Sequence, residues 1–273
     1  MMSGLLKRNY SKIDLPQISR ALFYPRYDTV EIEENKYLKR VMIPVGDGVS
    51  ISSIWAAMEK VPATILFFHG NGEISSDYID IAGIFWQMNI RFICVDYRGY
   101  GRSSGDPEAS LMIRDAHDIF QYVYSHTREK KEPLIIMGRS LGSAPALEIA
   151  AEYGEKIDGL IIESGFAETL PLLRTLGVDP NHLEIKEEDG FANADKIKNF
   201  NKPLLIIHAE DDYLIPLVQA EKLYAAANAP QKKILKIPNA GHNDIFVAGI
   251  KAYLTAVSEL VKSALQYQGA DEN

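Results

Sequence analysis

Short runs of apolar and β-branched residues alternate along most of the chain with stretches whose apolar positions recur at helical spacing. Residues 38–45 and 49–57 read as two strands joined across Gly46-Asp47-Gly48, a hairpin signal. Further strand runs follow at 64–68, 91–96, 134–137, 159–162, 204–208 and 233–237. Helical segments separate them at roughly 75–88, 110–126, 141–153, 216–227 and 244–265. Strands alternating with helices predict an α/β fold: a mostly parallel sheet of about eight strands with helices on both faces. The opening hairpin supplies an antiparallel edge.

Three stretches break the rhythm. Residues 164–201 are irregular and carry an acidic block at 184–189; they form either a small lid within the domain or a solvated excursion. Residues 1–36 are a less regular lead-in, and 268–273 a polar tail expected to fray. With no internal repeat and a length of 273 residues, residues 1–273 are expected to form one domain.

Charge narrows the partners. A net charge of -8 disfavours a nucleic-acid surface, because such domains carry a basic excess. The one cysteine, Cys94, lies in the apolar run Phe92-Ile93-Cys94-Val95 and excludes an intramolecular disulfide. It is expected to be buried and inert. The N-terminus has the features of no secretory signal, and no segment approaches the ~20 apolar residues of a membrane span. These features lead to the expectation of a cytoplasmic protein; they leave its oligomeric state open.

The pattern Gly-x-Ser-x-Gly occurs twice, at Gly101-Arg102-Ser103-Ser104-Gly105 and at Gly138-Arg139-Ser140-Leu141-Gly142. A nucleophile elbow requires a strand running straight into a sharp turn and then into a helix. Ser140 follows the apolar run 134–137 and precedes Gly142-Ser143-Ala144-Pro145-Ala146, small residues that let a helix pack close and aim its N-terminus at the site. Ser103 is followed by Asp106-Pro107 instead of a packed helix, so it is expected to be a loop residue. Ser140 is therefore the candidate nucleophile.

A serine hydroxyl needs a base to take its proton during attack. Of six histidines, His242 sits between the last strand and the last helix and completes the order Ser…Asp…His. His117, His126 and His182 are expected on solvated surface, and His208 as a packing residue at a strand end. No pair has metal-ligand spacing, and neither a metal nor any other cofactor is expected. The orienting carboxylate should follow the seventh strand, where Glu210, Asp211 and Asp212 stand together; Glu163 is the reserve. The turn His69-Gly70-Asn71-Gly72 offers backbone N–H groups, so Asn71 and Leu141 are the expected oxyanion donors.

These residues resemble the α/β-hydrolase superfamily over nearly the whole chain. Within it, Asp96-Tyr97-Arg98-Gly99-Tyr100-Gly101-Arg102-Ser103, Gly138-Arg139-Ser140-Leu141-Gly142-Ser143 and Gly241-His242-Asn243-Asp244 resemble the bud-emergence-type, serine-aminopeptidase-like branch. That branch carries a His-Gly-x-x-Asp-x-x-Val-Pro segment, which maps its aspartate onto Asp212, with Ala209 and Ile215 as mild departures. The resemblance implies a small-molecule acyl ester or thioester as substrate. Amide hydrolysis of aminopeptidase type is an alternative, in which Glu163, Glu168 and the 184–189 block meet a free amine. A non-catalytic scaffold is another. Leu170, Leu172, Leu173, Leu176 and Val178 are candidate walls for an acyl pocket.

Overall fold

The computed structural model describes residues 8–33, 37–56, 61–130 and 132–271. Eight strands form one sheet: β1 (Leu38–Pro44), β2 (Ser50–Ala56), β3 (Ala63–Phe68), β4 (Ile90–Val95), β5 (Leu134–Arg139), β6 (Gly159–Glu163), β7 (Leu204–Ala209) and β8 (Lys232–Ile237). Their order is β1-β2-β4-β3-β5-β6-β7-β8. β3 to β8 run parallel, whereas β2 is antiparallel to both β1 and β4. The hairpin edge is as the sequence predicts, with Asp47 and Gly48 at φ 64° and 70° closing its turn. The second strand stops at Ala56, and residue 57 lies outside the described residues.

The strands that read as continuous apolar runs are those covered on both faces. In β3, Leu66 and Phe68 point into one core with Ile136 and Ile162, while Ile65 and Phe67 point into the other with Ile135 and Met137. Helices α3 (Ala109–Lys130), α4 (Ser143–Tyr153) and α7 (Leu217–Ala226) close the first core, and α2 (Ile79–Gln87) and α8 (Ile245–Asp271) the second. The outer strands β1 and β8 instead mix buried with exposed positions and carry lysines, which keeps open sheet edges from pairing with other chains.

The lead-in and the irregular segment hold more structure than their patterns suggest. The lead-in forms α1 (Pro16–Leu22), with Pro16 at its first turn, where a missing N–H costs nothing. Residues 164–201 contain α5 (Thr169–Thr175) and α6 (Asn193–Lys196) and bury Phe166, Phe191 and Phe200 in the first core. The Glu187 carboxylate accepts the Thr169 and Leu170 N–H groups at the start of α5. Lys12 of the lead-in donates to the Glu184 carbonyl and to Asp189, both at 3.0 Å. Within the tail at 268–273, α8 continues as far as Asp271, and residues 272–273 lie outside the described residues. Extending a formed helix is far easier than nucleating one, so α8 outruns its amphipathic pattern. No helix among the described residues is long and apolar enough to cross a membrane.

Candidate active site

The carboxyl ends of β3, β5, β7 and β8 deliver the loops that meet at the site, the usual position for ligands in open α/β sheets. β5 ends at Arg139, and Ser140 turns the chain at φ 52° into α4. The tightness of this turn explains its glycines. A Cβ on Gly138 would lie 2.2 Å from the Gly142 carbonyl oxygen, and one on Gly142 would lie 2.1 Å from the Phe68 carbonyl oxygen. The Ser143 hydroxyl donates to the Ser140 carbonyl at 2.7 Å and ties the elbow to the first turn of α4.

Past β7, the Asp212 carboxylate folds its own loop: Oδ1 accepts the Leu214 and Ile215 N–H groups at 3.0 and 2.8 Å. Past β8, Asp244 accepts the Gly241 N–H at 2.7 Å and fixes the loop that presents His242. These turns bring together the three residues expected from chain order. His242 Nδ1 lies 2.7 Å from Asp212 Oδ2, and His242 Nε2 lies 3.0 Å from Ser140 Oγ. Burial pushes the Asp212 carboxyl up, but the hydrogen bond and charge of His242 outweigh it and hold the group below its ordinary value. Ionised Asp212 only accepts hydrogen bonds, so Nδ1 carries the proton and Nε2 is free to accept one from Ser140. All three residues are nearly sealed, at 4–7% exposure.

Glu163, the reserve acid, faces elsewhere: it accepts from Arg139 at 3.1 Å and from the Tyr253 hydroxyl at 2.5 Å. His208 is fully buried and donates from Nε2 to the Ile215 carbonyl at 2.7 Å, which braces the Asp212 loop. His117 departs from its expected solvated setting. It packs against Tyr153 and lies 3.5 Å from the buried Glu148, a helix-to-helix contact invisible to local pattern. Cys94 is buried as expected, and burial pushes its thiol well up.

A pocket of about 180 Å³ opens on Ser140 and His242. Asn71 and Leu141 both line it, and its apolar walls are Leu22, Leu172, Leu176 and Leu214. Two of the five residues expected as walls are thus present. Leu173 is instead buried in the core, and Leu170 and Val178 pack against that core. Leu22 comes from the lead-in and carried no signal beyond being apolar. The Asn71 side chain pins that lead-in, accepting the Tyr24 N–H at 2.7 Å and the Tyr100 hydroxyl at 2.6 Å.

Residues 59–176 match the family described as serine aminopeptidase, S33. The chain is 28% identical over 221 residues to the protein bem46 of Schizosaccharomyces pombe, covering 78% of this chain and 73% of that one. It is 31% identical over 207 residues to the human alpha/beta hydrolase domain-containing protein 17B, covering 74% of this chain and 67% of that one. The chain belongs to the α/β-hydrolase superfamily, in its bud-emergence-type branch. This α/β-hydrolase also shares its fold with the Pyrococcus furiosus esterase Pf2001, at a TM-score of 0.71 and 19% identity over 87% of this chain and 98% of that one.

Four of the acids that aminopeptidase chemistry would turn toward a free amine are engaged internally in the hydrolase, whereas Glu184 and Glu188 are exposed. Glu163 is held by Arg139 and Tyr253, Glu168 pairs with Lys222 and Gln219, Glu187 caps α5 and Asp189 meets Lys12. Among the described residues no group of three or more His, Cys, Asp or Glu side chains is placed to hold a metal.

Proposed function

We propose that the protein hydrolyses carboxylic esters or thioesters through an acyl-enzyme on Ser140. The observation that carries this reading is the continuous chain Asp212–His242–Ser140, at 2.7 and 3.0 Å, ending at a leucine-walled pocket. Ser140 Oγ attacks the acyl carbonyl while His242 Nε2 takes its proton, and Asp212 steadies the resulting imidazolium. The carbonyl oxygen, now an anion, is received by the Asn71 and Leu141 N–H groups, with the start of α4 behind it. His242 returns the proton to the leaving oxygen or sulfur. Water, activated by the same imidazole, then releases the acid and restores Ser140.

The pocket, at about 180 Å³, is smaller than the ~300–1,000 Å³ typical for drug-sized ligands, so it accepts short acyl groups whole. Leu172 and Leu176 support a role for 164–201 as a packed wall rather than a solvated excursion. A fluorophosphonate probe should label the wild type and spare Ser140→Ala; labelling that survives the substitution removes Ser140 from its role. Across p-nitrophenyl esters of graded length, kcat/KM should peak at short chains and fall for long ones. A maximum at sixteen carbons would refute the pocket assignment.

A further inference from the structure

One residue touches more of the site's framework than any triad member. The Arg139 guanidinium donates to four partners: Glu163 from Nε at 3.1 Å, Glu73 from Nη1, and, from Nη2, the His242 carbonyl at 2.8 Å and Asn243 Oδ1 at 3.2 Å. Glu73 in turn accepts the Gly70 N–H at 2.7 Å and the Tyr78 hydroxyl at 2.6 Å. Gly70 immediately precedes Asn71. A Cβ at Gly70 would sit 2.7 Å from Arg139 Nη1, so the glycine is what lets the guanidinium come this near the turn.

We propose that Arg139 is a positioning residue, whose single guanidinium holds the His242 loop and the Gly70–Asn71 turn at fixed places around Ser140. The inference rests on the Ser140–His242–Asp212 triad proposed for ester hydrolysis. It explains why a charged residue is held at 9% side-chain exposure on the strand that ends at the nucleophile. Charge neutralisation alone needs no contact to a backbone carbonyl. Arg139 spends one nitrogen on the carbonyl of His242 itself, and through Glu73 it reaches the N–H beside the expected oxyanion donor. The planar fork of donors is essential, because an ammonium at the same place has no geometry for partners on three loops. Burial disfavours the guanidinium charge, yet the surrounding Tyr78, Glu73 and Glu163 groups outweigh it and keep Arg139 protonated.

A second cavity, of about 360 Å³, lies behind Arg139 between α2 and α8 and shares Arg139 and Asn243 with the site pocket. It gives a small guanidinium room to replace the lost side chain, which makes the proposal testable by rescue. The assay is p-nitrophenyl butyrate hydrolysis by the full chain, with active sites counted by exhaustive fluorophosphonate labelling. Arg139→Ala should lower kcat per labelled site by about 10²-fold, the cost of a ~1 Å misplacement, with KM within about threefold. Methylguanidinium should restore at least tenfold of that loss, whereas tetramethylammonium should restore none. Arg139→Lys should remain at least tenfold below wild type.

A kcat per labelled site within threefold of wild type in Arg139→Ala overturns the proposal. So does a loss that appears only as fewer labelled sites, since the sites that form then turn over at the full rate without Arg139. Should Arg139→Ala fail to fold, Glu73→Gln keeps the volume and the acceptor for Gly70 while losing the charged bond to Arg139. About a tenfold lower kcat with unchanged KM is expected there, and full kcat counts against the role. A wild type that fails to label, or labelling that survives Ser140→Ala, is the distinct failure of the triad reading and takes this inference with it.

Discussion

The same five-residue pattern stands at the ends of two strands that flank β3, and the two copies do different work. After β5, Ser140 sits at φ 52°, its chain turns at once into α4, and its hydroxyl faces His242. After β4, Ser103 lies in a loop whose hydroxyl accepts the Ser52 N–H at 2.9 Å, and whose Gly101 N–H donates to the Arg26 carbonyl. One serine is presented to a pocket; the other bonds the hairpin edge, while Gly101 of its turn bonds the lead-in. The motif therefore specifies a tight turn bearing a hydroxyl. The next element in the chain, a close-packed helix or an open loop, decides whether that hydroxyl is available for chemistry.

The sharpest way to break this contrast is to remove each hydroxyl. Ser140→Ala should lower kcat by at least ~10⁴-fold in an ester assay, the scale on which nucleophile removal acts in comparable hydrolases. Retained turnover would move the nucleophile elsewhere. Next in size, Asp212→Asn should cost on the order of 10³–10⁴-fold in kcat, because an amide no longer enforces the Nδ1–H tautomer of His242. Glu163→Gln run in parallel should retain far more activity; a larger loss there would reassign the acid.

A smaller effect concerns the turn itself. Gly142→Ala should cost about 3 kcal/mol in urea unfolding, since its new Cβ meets backbone rather than a yielding side chain. An unchanged midpoint would mean that the elbow is not held as tightly as it looks.

Acidification should then bear on the Ser140 side through its carboxylates. Burial raises Glu73 and Asp212, but Arg139 and His242 respectively outweigh it, so both fold with carboxyls below their ordinary values of 4.5 and 3.8. The folded chain thus binds fewer protons than the unfolded one just below those values. The stability these groups contribute is complete above about pH 5 and is lost as pH falls through their folded values. Glu163, raised chiefly by burial, opposes this: its contribution is present at low pH and lost as pH rises through its folded value. Urea midpoints from pH 3 to 7 should rise with pH, and the rise should be shallower in Glu73→Gln. The smallest effect expected is Ser103→Ala, at about 1 kcal/mol of stability for one backbone hydrogen bond and turnover within twofold. A large loss of turnover would erase the distinction between the two serines.

Much of the fold and of the site is legible in the chain itself. The eight strands, the hairpin edge and the main helices follow from apolar runs and helical spacing, because a strand covered on both faces must be apolar throughout. Ser140 and His242 were identifiable because chemistry demands their types and the chain order places them at strand ends; among three adjacent acids, Asp212 was singled out by its resemblance to the branch's His-Gly-x-x-Asp-x-x-Val-Pro segment. Leu22, Arg139 and His117 were not. Leu22 looked like any apolar residue in an irregular lead-in, Arg139 like the free position of a motif, and His117 like a surface histidine.

By itself, then, the sequence determined the alternation of elements, the turn at Ser140 and which side chains had the chemistry to join it. These are local properties, set by residue type and by neighbours a few positions away. The tertiary structure alone set how closely Ser140, His242 and Asp212 approach, which loops Arg139 ties together, and which leucines wall the pocket. Those choices rest on contacts between loops distant in the chain, such as Arg139 with the His242 carbonyl 103 residues on. Local pattern carries no record of such distances; the sheet brings them to 3 Å.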